Sequence, residues 1–412
     1  MRQKVIIAGA GISVAPPSNL PSWWEYNKKL IAGIKTEVLE LCPEAKDVLK
    51  GLDVENKLPV QCISQIIVSQ GASESYFPLL ELLNGTCPNA NHFALAELAR
   101  LGLIKAIVTT NFDTLIETAF QNEAVPLFTA VQKQDYYESA QITACKLYKI
   151  HGSVHDYTSL IDTVRQKAIG LSPEKRFILE NILSNSDIYV IGFSGADLDF
   201  DLDYIPLVRA IESGSKITWV VRSNNQLNPN VEELQKRYPH NVCVKEMELR
   251  ELFEKWGAHY REVKKPLLDT TCSEYEVKLT QRIKELFSSD HIGKHGCVGY
   301  CLTLLDMIDA VEDANKLAEI YEKKLDVNAL KISSVLGINA FARQKLLSKD
   351  WQGALRGYNA VIKCLQHFIN LCREIRETKD VQFSAEQFRL AEQENAQNLA
   401  AAYTNIGNVY YY

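Results

Sequence analysis

Gly9-Ala10-Gly11-Ile12-Ser13 follows the apolar run Val5 to Ala8, and that succession decides the fold. A β-branched apolar run opening onto closely spaced glycines is the pattern of a strand buried on both faces and the tight turn after it. Two further segments repeat the arrangement: Thr110-Asn111-Phe112-Asp113 after Ile104 to Thr109, and His151-Gly152-Ser153 after Lys146 to Ile150. In an open parallel sheet the carboxyl ends of the strands share one crevice, where residues distant in sequence converge on a nucleotide. A glycine turn, an amide, a carboxylate and an imidazole gathered there make a site for chemistry on a dinucleotide.

Ile188 to Ile191 and Ile217 to Val221 read as further strands of the same kind. Helical stretches separate most of them. Asn91 to Gly102 has apolar positions at helical spacing with Gly102 as its stop, and Thr114 to Phe120 reads as the helix after the Asn111 turn. Alternating strands and helices predict an α/β fold, a Rossmann-like doubly wound parallel sheet, over residues 1–265. Residues 23–90 are dominated by helix-like sequence around Tyr26 to Cys42 and Gln61 to Leu83, too long for a plain crossover. They read as a helical insertion that covers the ligand crevice.

Beyond Leu249 strand signals fade. Residues 266–412 are predicted to form an all-α helical-repeat domain, with helices over Ser273 to Leu286, Tyr300 to Lys324 and Ile332 to Leu347. Ala342, Trp351, Ala354 and Tyr358 are spaced as in a tetratricopeptide unit, and Tyr403, Ile406, Gly407 and Tyr410 match the first helix of another. A repeat cannot bury its apolar face alone, so a sequence stopping at Tyr412 reads as ending mid-repeat. Either a longer protein or another subunit is expected to supply the missing helix.

At 412 residues, two or three domains are the natural expectation. A hydrophobic fraction of 46% with 23% charged residues excludes a disordered or fibrous chain, and a net charge of -6 argues against a nucleic-acid partner. Ten cysteines lie scattered from Cys42 to Cys372 with no Cys-x-x-Cys pair, the usage of a cytoplasmic protein. His291, His295, Cys297 and Cys301 carry donors suited to zinc, but their spacing matches no ordinary zinc site, so no metal is predicted. Met1 to Lys4 before Val5 to Ala15 has the outline of a short signal peptide; a strand entering a glycine turn explains the same residues. No run approaches the roughly twenty apolar residues that a membrane helix requires.

The motifs, in this order, resemble the sirtuin family, and specifically bacterial sirtuin-like NADases of antiviral defence. Gly9 to Ser13 is similar to the family's opening turn, and Leu20-Pro21-Ser22-Trp23 stands where the family has an Ile-Pro-Asp-Phe segment. Pro88-Asn89-Ala90-Asn91-His92 is similar to its Pro-Asn-x-x-His helix, and Thr109-Thr110-Asn111-Phe112-Asp113 to its Thr-Gln-Asn-Ile-Asp segment. His151-Gly152 resembles the catalytic His-Gly, and Gly192-Phe193-Ser194 the Gly-Thr-Ser that receives the cofactor. The chain departs from the pattern in three places. Ser153 to Ile191 lacks the four-cysteine zinc ribbon, Thr110 replaces the family glutamine, and no arginine follows Trp23.

The resemblance implies NAD+ as substrate, with Gly9, Ala10, Gly11, Ser13, Thr110, Gly192 and Ser194 holding it and Asn111, Asp113 and His151 catalytic. It implies that Asp113 receives the carboxamide and Asn111 the ribose or the attacking water. His151, whose ordinary pKa is about 6.5, is suited to act as base. His92 reads as structural, and Gly152 marks His151 over His155. Asp197, Asp199, Asp201 and Asp203 read as a solvated loop or helix start. Departure from the zinc-ribbon pattern favours an NAD+ glycohydrolase, releasing nicotinamide and ADP-ribose, over a protein deacylase. Defence by NAD+ depletion requires restraint until activation, so the helical region is expected to carry a partner, an activator or a homo-oligomer contact. An NAD- or ADP-ribose-sensing module is the alternative.

Overall fold

A computed structural model describes residues 4–52, 61–69, 73–84, 87–222, 227–261, 270–289, 292–325, 334–378 and 385–411. The boundary expected at 265/266, His291 of the zinc-like group, the basic start Met1 to Gln3 and the terminal Tyr412 lie outside them. The chain divides into two compact units: Met1–Asn27 with Pro59–Leu279, and Lys28–Leu58 with Thr280–Tyr412. The segment read as one insertion, residues 23–90, is thus shared between the units. Residues 28–58 group with the helical unit, while the helices Gln61–Ser69 and Ser73–Leu80 group with the sheet.

The sheet has seven parallel strands: β1 Lys4–Ala8, β2 Ile104–Thr109, β3 Leu127–Ala130, β4 Cys145–Lys149, β5 Asp187–Ile191, β6 Lys216–Val221 and β7 Val242–Glu246. Their order is β3-β4-β2-β1-β5-β6-β7. Helices cover both faces, which is why the inner strands are apolar at successive positions: Val5 and Ile7 enter one core, Ile6 and Ala8 the other. The chain leaves β1 for β2 on one side and later returns to its other side as β5, so the order reverses at β1. That reversal is where an α/β sheet opens its ligand crevice. All three opening motifs, and Gly192 after β5, lie at the carboxyl ends of the four adjacent strands β4, β2, β1 and β5.

The expected helix at Asn91 is observed as Ala90–Arg100. Gly102 stops it at φ +69°, its amide bonding Ala99 O while Leu103 N reaches Leu98 O, the paired bonds of a Schellman end. After β1, by contrast, no α-helix follows directly. The glycine turn runs into the four-residue 3-10 turn Ala10–Ser13, and the first long helix begins only at Trp23. Gly9 N donates to Ile191 O and Gly11 N to Gly192 O, so the β1 and β5 turns are sewn together by backbone. A Cβ on Gly9 would stand 2.6 Å from Gly192 O, and one on Gly192 2.6 Å from Ile12 N. The glycines at this seam serve close packing of two turns.

In the helical unit the stretch Tyr300 to Lys324 is two helices, Gly293–Met307 and Val311–Glu322, broken around Asp309 at φ +56°. Three further helices follow: Val335–Leu347, Trp351–Thr378 and Ala385–Tyr411. Ala342, Ala354, Tyr358 and Val409 are buried in one cluster, whereas Trp351, Tyr403 and Tyr410 are exposed. No described helix is long and apolar enough to cross a membrane.

Gly192 has φ +59°. Gly192→Ala is therefore expected to lower unfolding stability by at least the ~1–2 kcal/mol of a left-handed L-residue, with displacement of Ile12 adding to it. Chemical denaturation of the two proteins, compared at one pH, measures the difference.

Candidate active site

The four strand ends surround a cavity of about 460 Å³. Ala10, Gly11, Ser13, Thr110, Asn111, Asp113, His151, Gly192 and Ser194 line it; of the residues expected to hold substrate, Gly9 is not in its wall and packs against the β5 turn instead. The rest of the wall includes Leu20, Trp23, Trp24, Gln61 and Leu83, together with Asp162, Lys167 and Asp197.

Ser13 ties the first motif to the second. Its hydroxyl donates to Asp113 Oδ2 at 3.1 Å, lies 3.1 Å from His92 Nε2 and accepts from Asn111 Nδ2 at 3.3 Å. Proton counting fixes the roles. Asn89 N donates to His92 Nδ1 at 3.0 Å, so that nitrogen is bare and the proton of the neutral ring sits on Nε2. Burial holds the His92 pKa down to about 3, which keeps the ring neutral. Ser13 thus accepts from His92 and Asn111 and gives its single proton to Asp113. Sequence reading left His92 as structural, and its ring indeed braces Ser13.

Asp113 is buried, and its pKa rises to about 6 because desolvation outweighs Lys149 and the Leu115 amide. Oδ1 accepts from Leu115 N at 3.0 Å. Lys149, the last residue of β4 and 0% exposed, points beneath this loop. Its ammonium contacts the carbonyls of Phe112 and Asp113 and reaches Glu117 Oε1 at 3.1 Å. A lysine ending an apolar strand gave no signal in sequence, yet it fastens the Asn111 to Asp113 loop.

His151 is held from the other side. Gly152 has φ +86° and a Cβ there would stand 2.3 Å from Ser159 O, so this turn admits only glycine. His151 O accepts from Ile161 N at 3.0 Å. Its ring Nε2 lies 3.5 Å from Asp197 Oδ2, without a hydrogen-bond partner among the described residues. Burial depresses the His151 pKa to about 3, against the opposing pull of Asp197.

Asp197 and Asp199 stand in the first turn of the 3-10 helix Ala196–Asp199, a helix start as one of the two readings expected, but Asp197 is not solvated. Asp199 and Asp201 are exposed, but Asp197 is 3% exposed and its Oδ1 binds Lys167 Nζ at 2.6 Å. Burial raises its pKa, and the Lys167 ammonium, by its charge and its hydrogen bond, pulls it down. Neither Lys167 nor Asp162 had been singled out in sequence, because what marks them is pairing across tens of residues. Four residues of the cavity wall each carry a buried polar atom with no partner among the described residues: Trp23 Nε1, Asn111 Oδ1, His151 Nε2 and Asp162 Oδ1. Buried polar atoms are normally satisfied, so a cluster of exceptions marks where a ligand bonds. Among the described residues no group of three or more His, Cys, Asp or Glu gathers as a metal site; His295 Nδ1 instead lies 2.8 Å from Tyr321 Oη.

Residues 105–242 match the family model described as the SIR2-like domain. An NAD-dependent protein deacetylase of Caldivirga maquilingensis is 44% identical over 50 residues, which are 12% of this chain, and the chain spans 20% of that protein's length. Similar solved structures include a Sir2 mutant with a p53 peptide and NAD, at 17% identity and TM-score 0.33, covering 62% of this chain and 91% of that one. Another is a Sir2 homologue mutant in complex with ADP ribose, at 14% identity and TM-score 0.34, covering 69% and 93%. The matched residues 105–242 take in the motifs from Thr109 to Gly192.

A histidine with a depressed folded pKa lends stability that is present above its unfolded pKa of about 6.5 and lost as pH falls toward its folded value. His92 is such a group, with a folded pKa of about 3. His92→Gln is expected to flatten the loss of stability between pH 7.5 and 5, read as the change in urea midpoint across that range.

Proposed function

We propose that the chain is an NAD+ glycohydrolase that cleaves NAD+ to nicotinamide and ADP-ribose. One observation carries the reading: Asn111 and His151, both in the wall of one cavity at the switch point of a parallel sheet, each hold a buried polar atom, Oδ1 and Nε2, with no partner among the described residues. The nicotinamide leaves as a neutral molecule, so the site needs no strong acid. It needs to hold the ribose, stabilise positive charge at its anomeric carbon and admit water. In this reading His151 Nε2 and Asn111 Oδ1 accept ribose hydroxyls, and the cavity carries three carboxylates, Asp113, Asp162 and Asp197, against the single ammonium of Lys167. That balance suits a pyridinium ring and a developing oxocarbenium cation, with the dipoles fixed in advance.

Asp113, whose oxygens hold Ser13 and Leu115 N, acts mainly by fixing Asn111 through Ser13. Ala10, Gly11, Thr110, Gly192 and Ser194 supply walls for the dinucleotide. An NADase acting in the cytoplasm must be restrained, and the resemblance to defence-associated sirtuin-like NADases supports an activated antiviral effector, with the helical unit carrying tetratricopeptide-like contacts to a partner or a second copy. Deacylation is the second reading, favoured by the 50-residue match to a protein named a deacetylase. Departure from the family's four-cysteine ribbon over Ser153 to Ile191 weighs for water as acceptor.

Asn111→Ala and His151→Ala are each expected to reduce NAD+ hydrolysis by about 10²-fold or more while ADP-ribose still binds. Chromatographic quantification of nicotinamide and ADP-ribose, with an acyl-lysine peptide as competing acceptor, tests this. Hydrolysis by His151→Ala at the wild-type rate, or turnover only with the peptide, would contradict the proposal. ADP-ribose binding without turnover in any assembly would favour a sensing module.

A further inference from the structure

We propose that Asp162 is the group that holds and deprotonates the attacking water, an inference that rests on the hydrolytic reading above. Asp162 is 1% exposed and lines the cavity, yet neither motif comparison nor spacing points to it. Its Oδ2 accepts from Tyr76 Oη at 2.7 Å, which orients the carboxylate, while Oδ1 has no partner among the described residues. The backbone around it is fixed as well. Asp162 N donates to Gln166 Oε1 at 3.0 Å and its carbonyl accepts from Ser64 Oγ at 3.1 Å. The neighbouring Ile161 N bonds His151 O, so Asp162 and His151 belong to one braced wall.

The other candidate bases are occupied or weak. Asp113 has an internal donor on each oxygen. Asp197 holds Lys167 on one oxygen and faces His151 with the other. Burial keeps His151 a feeble base. Asp162 differs: desolvation raises its pKa to about 6, against the hydroxyls of Tyr76 and Ser64 and the charge of Lys167. A base works best when its pKa lies near the working pH. The titratable groups facing it are Tyr76, from the helix Ser73–Leu80, and Lys167, from the helix Val164–Ile169, itself bound to Asp197 beside His151.

In the step, the water oxygen forms a bond to the anomeric carbon of the ribose as the bond from that carbon to nicotinamide breaks. The electron pair of the breaking bond stays on the ring nitrogen and cancels its positive charge. One water proton passes to Asp162 Oδ1 and then to solvent, so NAD+ and water give nicotinamide, ADP-ribose and a proton.

The test compares wild type, Asp162→Asn and Tyr76→Phe in the full chain, measuring kcat for NAD+ hydrolysis from pH 5 to 9 and ADP-ribose affinity by calorimetry. Wild type is expected to lose kcat below a limb near pH 6. Asp162→Asn is expected to lose about 10²-fold or more in kcat, to lose the limb and to keep ADP-ribose affinity. Asp113 titrates in the same range, so disappearance of the limb in Asp162→Asn makes the assignment. Tyr76→Phe removes a donor to the ionised form and is expected to move the limb upward. Wild-type kcat with the limb intact in Asp162→Asn, or a rise in KM alone, would overturn the role of Asp162 and leave the hydrolytic reading standing. Should Asp162→Asn no longer bind ADP-ribose, an unmoved limb in Tyr76→Phe overturns the role. A wild type that binds ADP-ribose without consuming NAD+ in any assembly overturns the hydrolytic reading, and the role of Asp162 with it.

Discussion

The hydroxyl of Ser13 has one proton to give and room to accept two, and all three positions are filled by different parts of the chain. His92 comes from the helix Ala90–Arg100, and Asn111 and Asp113 from the loop after β2. Because the proton of Ser13 is committed to Asp113, Asn111 must present its NH2 to Ser13. That leaves the amide oxygen of this cavity-wall residue without a partner among the described residues. The orientation of a side chain at the centre of the site thus follows from hydrogen-bond stoichiometry. The tautomer of His92, set in turn by the Asn89 amide, is what makes the count unambiguous.

Around this hub the fold buries charge without neutralising all of it. Lys149 answers the carbonyls of the Asn111 loop, and Lys167 answers Asp197, while Asp162 has the hydroxyls of Tyr76 and Ser64 and a share of the charge of Lys167. Leaving buried acceptors unpaired destabilises a native state, typically by about 1–3 kcal/mol for each group. Such strain is concentrated where a ligand will relieve it. The backbone seam between the β1 and β5 turns, closed by Gly9, Gly11 and Gly192, and the glycine at 152 give these groups a rigid frame.

Much of this was legible in sequence. The five inner strands are buried over most of their length and carry largely apolar runs, and their positions and the residues at their ends follow from that. The edge strands β3 and β7 escaped notice because each has one neighbour and half-exposed side chains: Leu127, Phe128 and Thr129 are only partly buried, and Cys243, Lys245 and Glu246 are exposed or nearly so. Helix ends with a chemical stop, such as Gly102, were placed closely. The break at Asp309 was not, since a left-handed aspartate carries no glycine or proline to announce it. Asn111 and His151 stood out by motif. Asp162, Lys167, Lys149 and the buried state of Asp197 did not, because each depends on a partner about 30 residues or more away, and four aspartates in alternation look alike until one of them is enclosed.

The central claim is that the acceptors at the ends of β2 and β4 meet the ribose beside the nicotinamide of NAD+. A crystal structure of His151→Ala with NAD+ tests it most directly. The account predicts intact dinucleotide in this cavity, with ribose hydroxyls bonded to Asn111 Oδ1 and the scissile bond facing Asp162. Dinucleotide bound elsewhere, or bound here with its adenosine half at Asn111 and Asp162, would contradict it.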